Sequence, residues 1–381
     1  MPNKNIKKKK KSVVQKGKLD ITFLSFVLLL LTIGLVMLFS ASYAYSYEYY
    51  QNSYKFISRQ AAFAAVGLCL MFFISKIDYH FWRKFAWAIF LISTLLLIVL
   101  LALPPMVSGM DVKRWIVIGP LNFQPSEIAK FSIILLFSSL IAAHQHEMKG
   151  FKFILFLGLI LAFTCGLIVL EPHVSATVLV FAIGVTLLFI GGMQKRWIIG
   201  GIGAGAGAVA LAFATNVISY GSSRIKYWRN PWLDATGKGF QTIQSLLAIG
   251  SGGILGRGIG QSRQKYLWVP EPHNDFIFSI VCEELGLVGA IVIILLFALL
   301  VWRGFTIAMR CPDKFGSLLA IGLTFQVGLQ AMLNIWVVTN TIPNTGISLP
   351  FFSYGGSSLV ILLAEMGIVL SVSRSADIEK I

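Results

Sequence analysis

Asp275 ends a polar run, Val269-Pro270-Glu271-Pro272-His273-Asn274-Asp275, that leads straight into an apolar stretch carrying two further acids, Glu283 and Glu284. A carboxylate inside a membrane span costs about 2.5–3.5 kcal/mol on insertion scales, so acids here need a reason. Asp275 stands at the mouth of the span, behind a Pro-rich rigid turn and beside a basic loop. Its proton affinity is therefore tunable: desolvation at a membrane surface raises a carboxyl pKa and nearby cations lower it. The structural alternative is an N-cap that satisfies free amides at the start of the helix. Glu283 and Glu284 lie two turns deeper and point about 100° apart, so at most one shares a face with Asp275. Both, like Glu365 in the last span, are expected to hydrogen-bond neighbouring helices. Glu127 and Lys130 sit one turn apart and are expected to form an internal ion pair. Glu171-Pro172-His173 is read as structural. His144 and His146 flank Gln145 without an evident third ligand, so no metal site is expected there.

The elements that position these residues are membrane helices. Of 381 residues, 56% are hydrophobic and 13% charged, and the mean hydropathy is +0.78. A soluble domain of this length needs far more polar residues to cover its surface. Apolar runs of roughly 20 residues, enough to cross a ~30 Å hydrocarbon core, recur along the chain. The expected fold is all-α and polytopic, with about ten spans near 21–42, 60–75, 82–103, 126–143, 153–170, 174–192, 197–219, 276–302, 317–339 and 356–373. Barrel strands would alternate over about ten residues, and these runs do not.

Residues 1–20 form a basic tail with lysines at 7 through 11, residues 21–373 a single transmembrane domain, and 374–381 a short second tail. Lys and Arg concentrate in segments that ten spans would place inside, so both termini are expected in the cytoplasm. Much of the +16 net charge is then a topology signal, which argues against nucleic-acid binding. The first apolar run is too long for a signal peptide, and an uncleaved first span is expected. The four cysteines fall within spans or near the cytoplasmic face, so no disulfide is expected.

Two outer loops stand out. One carries Lys113-Arg114-Trp115 and Gln124-Pro125-Ser126-Glu127. The other, residues 220–275 between spans seven and eight, breaks the charge rule with Arg224, Lys226, Arg229 and Lys265 among its cations. A long, basic, aromatic-bearing outer loop suits an anionic ligand at the membrane surface, such as a lipid phosphate. Within it, 241–249 reads as a short amphipathic helix. The glycines of 250–260 lack the strand of a dinucleotide site and suggest flexible backbone approaching a membrane-bound ligand. Near the C-terminus, Pro343–Ser358 interrupts an apolar region with prolines, glycines and serines, as backbone lining a cavity does.

Together these segments resemble the SEDS family of bacterial cell-wall polymerases, which includes FtsW, RodA and SpoVE. The resemblance rests on Lys113-Arg114-Trp115 with Gln124-Pro125-Ser126-Glu127, on Gly239-Phe240-Gln241 with Gln244-Ser245, and on Gly258–Lys265. It continues through Pro270-Glu271-x-His273-x-Asp275-Phe276-Ile277-Phe278 with Glu283-Glu284-Leu285-Gly286. It ends at Leu349-Pro350-x-x-Ser353-Tyr354-Gly355-Gly356-Ser357-Ser358. Three departures are present: Asn274 and His173 where the family commonly has Thr and Asp, and Thr345 where FtsW proteins usually have Lys. Residues 260–265 and the surroundings of Pro231-Trp232 favour the FtsW/SpoVE branch.

The resemblance implies a peptidoglycan glycosyltransferase that polymerises lipid II outside the bacterial cytoplasmic membrane, in division, sporulation or elongation. Asp275 matches the family's essential acid and is expected to be the catalytic base. Arg114, Trp115, Arg224, Lys226, Arg229, Lys265, Glu271, His273, Ser353 and Tyr354 are the expected substrate contacts. Glu127, Lys130, Glu283, Glu284, Gly355 and Gly356 are the expected supports. A divalent cation, magnesium or manganese, on the substrate pyrophosphate is compatible with this chemistry. The implied partners are lipid II, the nascent glycan strand, membrane lipid and a class B penicillin-binding protein. A lipid II flippase and a non-catalytic scaffold are the competing functions. The flippase predicts inverted repeats and polar residues spread through the membrane depth.

Overall fold

The computed structural model describes residues 17–103, 114–118, 121–194, 196–197, 200–201, 203 and 225–376. Its helices follow the apolar runs: α1 (Ile21–Tyr50), α2 (Lys55–Ile74), a single turn α3 (His80–Arg83), α4 (Ala86–Ala102), α5 (Pro125–Ala143), α6 (Phe151–Leu170) and α7 (Val174–Gly191). The amphipathic α8 (Phe240–Gly252) precedes α9 (Ile277–Met309), α10 (Lys314–Val338) and α11 (Gly356–Ser373). Among the described residues, eight helices are long and apolar enough to cross a membrane, and α4 is apolar but shorter. The span expected at 197–219 lies almost wholly outside the described residues.

Two local features go beyond the apolar pattern. α1 continues eight residues past its expected end, to Gln51 in the left-handed region (φ 54°). Ring packing carries it there: Tyr45 stacks on Tyr49 at 4.4 Å and meets Phe56 of α2. A short antiparallel hairpin, β1 (Ile116–Ile118) and β2 (Leu121–Phe123), sets Ile116 opposite Phe123. Its β-branched first strand suits that pairing better than a helix.

Between helices in lipid, close packing replaces the hydrophobic drive. On α2, a Cβ at Gly67 would come within 2.6 Å of Leu363. On α11, one at Gly367 would come within 2.6 Å of the Met71 carbonyl. These two helices therefore press backbone to side chain. α10 is the most buried span and carries the amides Gln326, Gln330 and Asn334 inward.

α9 breaks at Gly286 (φ 67°, ψ −170°). The glycine-rich segment after α8 supplies partners there. Leu287 N donates to Gly253 O at 2.9 Å and Val288 N to Ile254 O at 3.1 Å. Arg257 N and Gly258 N donate to Glu283 O and Glu284 O, each at 3.0 Å. A Cβ at Gly286 would collide with Gly256 N. The close approach these glycines permit is thus to the broken helix, not to a ligand.

The two ends of the described chain meet. Gly17 N donates to Arg374 O at 2.9 Å, Asp20 N donates to Ser373 Oγ at 3.2 Å, and Arg303 pairs with Asp20 at 2.9 Å. α1 carries the chain from there to the opposite end of the bundle.

Candidate active site

At that opposite end lies a cavity of about 630 Å³, lined by residues from α1, α2, α5, α7, α10, the hairpin and the segments leading into α9 and α11. α2, α5, α7, α9 and α11 all begin around it. Each helix start presents free amides and about half a positive charge, so the converging ends favour an anionic occupant.

Asp275 sits just before α9, partly open to the cavity. Its carbonyl accepts from Asn334 Nδ2 at 2.7 Å, and the same amide nitrogen donates to Ile347 O at 2.6 Å. Neighbouring residues are stitched to the α11 approach: Ser353 Oγ donates to Asn274 O at 2.9 Å and Tyr354 N to His273 O at 2.9 Å. Asn274 Nδ2 donates to Glu271 Oε2 at 3.0 Å. The segment bearing Asp275 is therefore fixed from two sides. Gly346 (φ +71°) makes room for its side chain: a Cβ there would stand 3.1 Å from Asp275 Oδ2 and 3.7 Å from Arg114 Nη1. The carboxylate and the guanidinium thus converge at the face of one glycine.

Arg114 is held by donating from Nη2 to Pro172 O at 2.8 Å. The loop that holds it contains two buried ionisable groups. Burial pushes the Glu171 carboxyl up to about 8, against the pull of Arg114, and neither oxygen has a hydrogen-bond partner among the described residues. Burial, with the charges of Arg114 and Lys130 adding, pushes His173 down to about 3. His273 is also buried, and desolvation brings it down to about 4, so it is a neutral imidazole near pH 7. Beneath Asp275, Lys130 pairs with Glu127 at 2.8 Å and donates to Gln330 Oε1 at 3.0 Å. Gln330 Nε2 in turn donates to Ser348 O at 3.1 Å.

The structure gathers Asp275, Glu271, His273, Tyr354, Arg114, Trp115, Glu127, Lys130, Gly355 and Gly356 around this cavity. Other expected substrate contacts lie elsewhere. Lys265 is buried and its ammonium is spent on Glu284 at 3.0 Å, Ser40 Oγ at 3.1 Å and Gly260 O at 2.7 Å. Glu283 accepts from Arg263 N at 2.9 Å and from the Ser262 hydroxyl, so this acid pair clamps the loop that leads to Asp275. Lys226 and Arg229 are exposed on a helical turn away from the cavity lining. Ser353 uses its hydroxyl on the backbone of Asn274 and Leu349. Arg224 lies outside the described residues.

Residues that sequence reasoning passed over are Arg59 and Gln330 in the lining, Asn334 behind Asp275, and Gln60, which bridges Ser353 O and Gly355 N at 3.2 Å each. For Gln60, Gln330 and Asn334 the signal was a polar side chain inside an apolar span, which lipid tolerates only when it is paired; Arg59 stands just before its expected span and gave no such signal. Among the described residues no three His, Cys, Asp or Glu side chains are grouped to hold a metal ion.

A helical bundle with an ionisable cavity at one end, where Glu127, Glu271 and Asp275 meet Arg59, Arg114 and Lys130, defines a multi-pass integral-membrane protein. The family model described as "Cell cycle protein", that of FtsW, RodA and SpoVE, matches residues 21–378. The chain belongs to the FtsW/RodA/SpoVE family. It is 39% identical over 364 residues to Stage V sporulation protein E of Bacillus subtilis (strain 168), covering 93% of this chain and 97% of that protein. It is 38% identical over 363 residues to a probable peptidoglycan glycosyltransferase FtsW of Geobacter sp. (strain M18), covering 93% and 96%. Among solved structures, a chain of a peptidoglycan synthase complex superposes with a TM-score of 0.78 at 30% identity, covering 93% of this chain and 98% of the other. The rod shape determining protein RodA of Thermus thermophilus superposes at 0.70 with 27% identity, covering 94% and 98%.

Proposed function

We propose that this chain is a peptidoglycan glycosyltransferase that polymerises lipid II at the outer face of the bacterial cytoplasmic membrane. The observation that carries the reading is the convergence of Asp275 and Arg114 on Gly346, inside a cavity around which five helices begin. The names of the FtsW relatives and the synthase complex among its structural neighbours support the activity.

Asp275 removes the proton from the acceptor's C4 hydroxyl as that oxygen attacks the donor's anomeric carbon. The bond from that carbon to the pyrophosphate oxygen breaks, the configuration inverts, and undecaprenyl pyrophosphate leaves with the electron pair. Arg114, with the helix starts around it, stands where the developing pyrophosphate charge needs stabilising, and Arg59 lines the same cavity. The ammonium groups of Lys265 and Lys130 are already spent on Glu284 and Glu127. Base catalysis supplies about 10²–10⁴-fold, and positioning of two membrane-held reactants supplies much of the rest.

Both termini lie in the cytoplasm in this reading, supported by the meeting of residues 17–20 with 373–374 and by the lysines that precede them. A class B penicillin-binding protein is the partner that would cross-link the strands. Its support is the neighbouring peptidoglycan synthase complex, in which polymerisation and crosslinking are coordinated.

Polymerisation of labelled lipid II by the purified protein with that partner, wild type beside Asp275→Asn, tests the reading. Glycan strands from the wild type and at least about 10²-fold less from a folded variant are expected. Equal product from both removes Asp275 as the base. No product from either, with headgroup translocation in vesicles, establishes a flippase instead.

A further inference from the structure

The cavity has two chemically different sides. The hairpin and α5 supply Arg114, Glu127 and Lys130. The ends of α1 and α2 and the approach to α11 supply rings, Tyr45, Tyr50, Phe56, Phe63 and Tyr354, with Arg59 of α2 the single lining cation among them. Three of these rings interlock around His273, with centroids 4.3 Å away for Phe56, 4.9 Å for Tyr45 and 6.0 Å for Tyr354. Phe56 also meets Tyr354 edge-on at 4.8 Å. Phe56 and His273 are buried, 8% and 3% exposed, whereas Tyr45 and Tyr354 remain partly open. Two tyrosines therefore form the rim of a preassembled aromatic platform, and its central histidine is two residues from Asp275.

Tyrosines at a membrane surface often form only an interfacial belt. Tyr43, Tyr47, Tyr49 and Tyr54 fit that role, being exposed and absent from the cavity lining. Tyr45 differs by facing the cavity between two ring neighbours, His273 at 4.9 Å and Tyr49 at 4.4 Å. Tyr50 lines the cavity too, but the Lys55 ammonium already lies 3.0 Å over its ring.

The lining also distinguishes a sugar from a hydrocarbon tail. Its aliphatic members are only Ala176, Leu179 and Ile347, against six aromatic ones once Trp115 is counted. A prenyl chain gains from aliphatic area. A hexosamine ring presents a C–H face of slight positive charge to the negative face of an aromatic ring, and turns its hydroxyls towards polar neighbours. The donor sugar carries the pyrophosphate and belongs beside the cations. The sugar that must offer a hydroxyl to Asp275 belongs on the other side.

We propose that Tyr45 and Tyr354, backed by Phe56 and His273, form a stacking platform for the N-acetylhexosamine ring of the acceptor strand. The identity of that saccharide rests on the glycosyltransferase reading; the platform itself rests on the rings. A lipid-free tetrasaccharide of alternating β-1,4-linked N-acetylglucosamine and N-acetylmuramic acid is the probe, titrated calorimetrically into the full-length protein in detergent. The wild type should bind it. Tyr45→Leu and Tyr354→Leu should each bind about tenfold more weakly, and Tyr45→Phe, which keeps the ring, should lose less than about threefold.

No binding by the wild type, or equal binding by both leucine variants, overturns the platform. Saturation transfer from tyrosine ring protons to the sugar C–H protons of the wild type gives a readout that does not depend on the variants folding; its absence also overturns the platform. Asp275→Asn that polymerises normally while the tyrosine dependence holds defeats the catalytic reading and leaves the platform standing.

Discussion

Gly346 is where a backbone choice controls the chemistry. Its φ of +71° is costly for any residue with a Cβ, by about 1–2 kcal/mol, and the added carbon would press on Asp275 Oδ2 from 3.1 Å. Gly346→Ala is therefore expected to leave the helical bundle folded and to lower lipid II polymerisation about tenfold or more, measured by strand yield on gels. Activity within twofold of wild type would mean that Asp275 does not need its present position. Lys265 gives the opposite kind of expectation. Removing one partner of a buried ion pair costs about 3–5 kcal/mol because the other charge is stranded. Lys265→Ala should strand Glu284 and lower thermal stability sharply, while Lys226→Ala and Arg229→Ala, both exposed, should stay within about 0.5 kcal/mol. A stable Lys265→Ala protein with impaired substrate binding would return that lysine to the substrate.

The loop between α6 and α7 holds Arg114 and ends in His173, the residue before α7, whose first turn reaches the Thr345 carbonyl through the Ser175 hydroxyl. Its acid–base groups and the buried His273 give the cavity end of the bundle opposing pH slopes. Glu171, raised from 4.5 to about 8, keeps its proton in the folded chain where the unfolded chain has lost it. Its contribution therefore falls as pH rises from about 4.5 to about 8. His173 and His273, lowered from 6.5 to about 3 and about 4, refuse protons that the unfolded chain takes up. They make stability fall as pH drops below about 6.5. Of these three groups only Glu171 acts from pH 6.5 to 8. The melting temperature of the wild type in detergent should decline across that window, and Glu171→Gln should flatten the decline. Parallel curves for the two proteins would place the ionisation of Glu171 near its ordinary value and deny that burial governs it.

At the scale of the molecule, what could be read from sequence depended on whether a residue's partner was local. Apolar run length fixed most helices to within a few residues, because lipid thickness leaves little choice. α1 outran its apolar run because ring packing from α2 and His273 continued it. Asp275, Glu271 and His273 stood out as polar groups at a span boundary, and the cavity contains all three. The cations did not sort themselves in the same way: nothing in the one-dimensional pattern says that Lys265 meets Ser40, 225 positions away, or that Arg59 reaches the lining. Orientation is the remaining whole-molecule property, and it can be tested directly. The latch of Gly17 and Asp20 on Ser373 and Arg374 places residues 18 and 376 at one end of the bundle. Lysines clustered before residue 17 assign that end to the cytoplasm by the positive-inside rule. Trp268, 56% exposed in the loop before Asp275, belongs to the cavity end. In a chain whose four cysteines are replaced by alanine, a membrane-impermeant maleimide added to intact cells should label Trp268→Cys. Lys18→Cys and Ala376→Cys should react only after the membrane is opened. Reaction of Lys18→Cys and Ala376→Cys from opposite sides would contradict the latch. Reaction of both from outside would invert the molecule and put Asp275 on the wrong face for extracytoplasmic polymerisation.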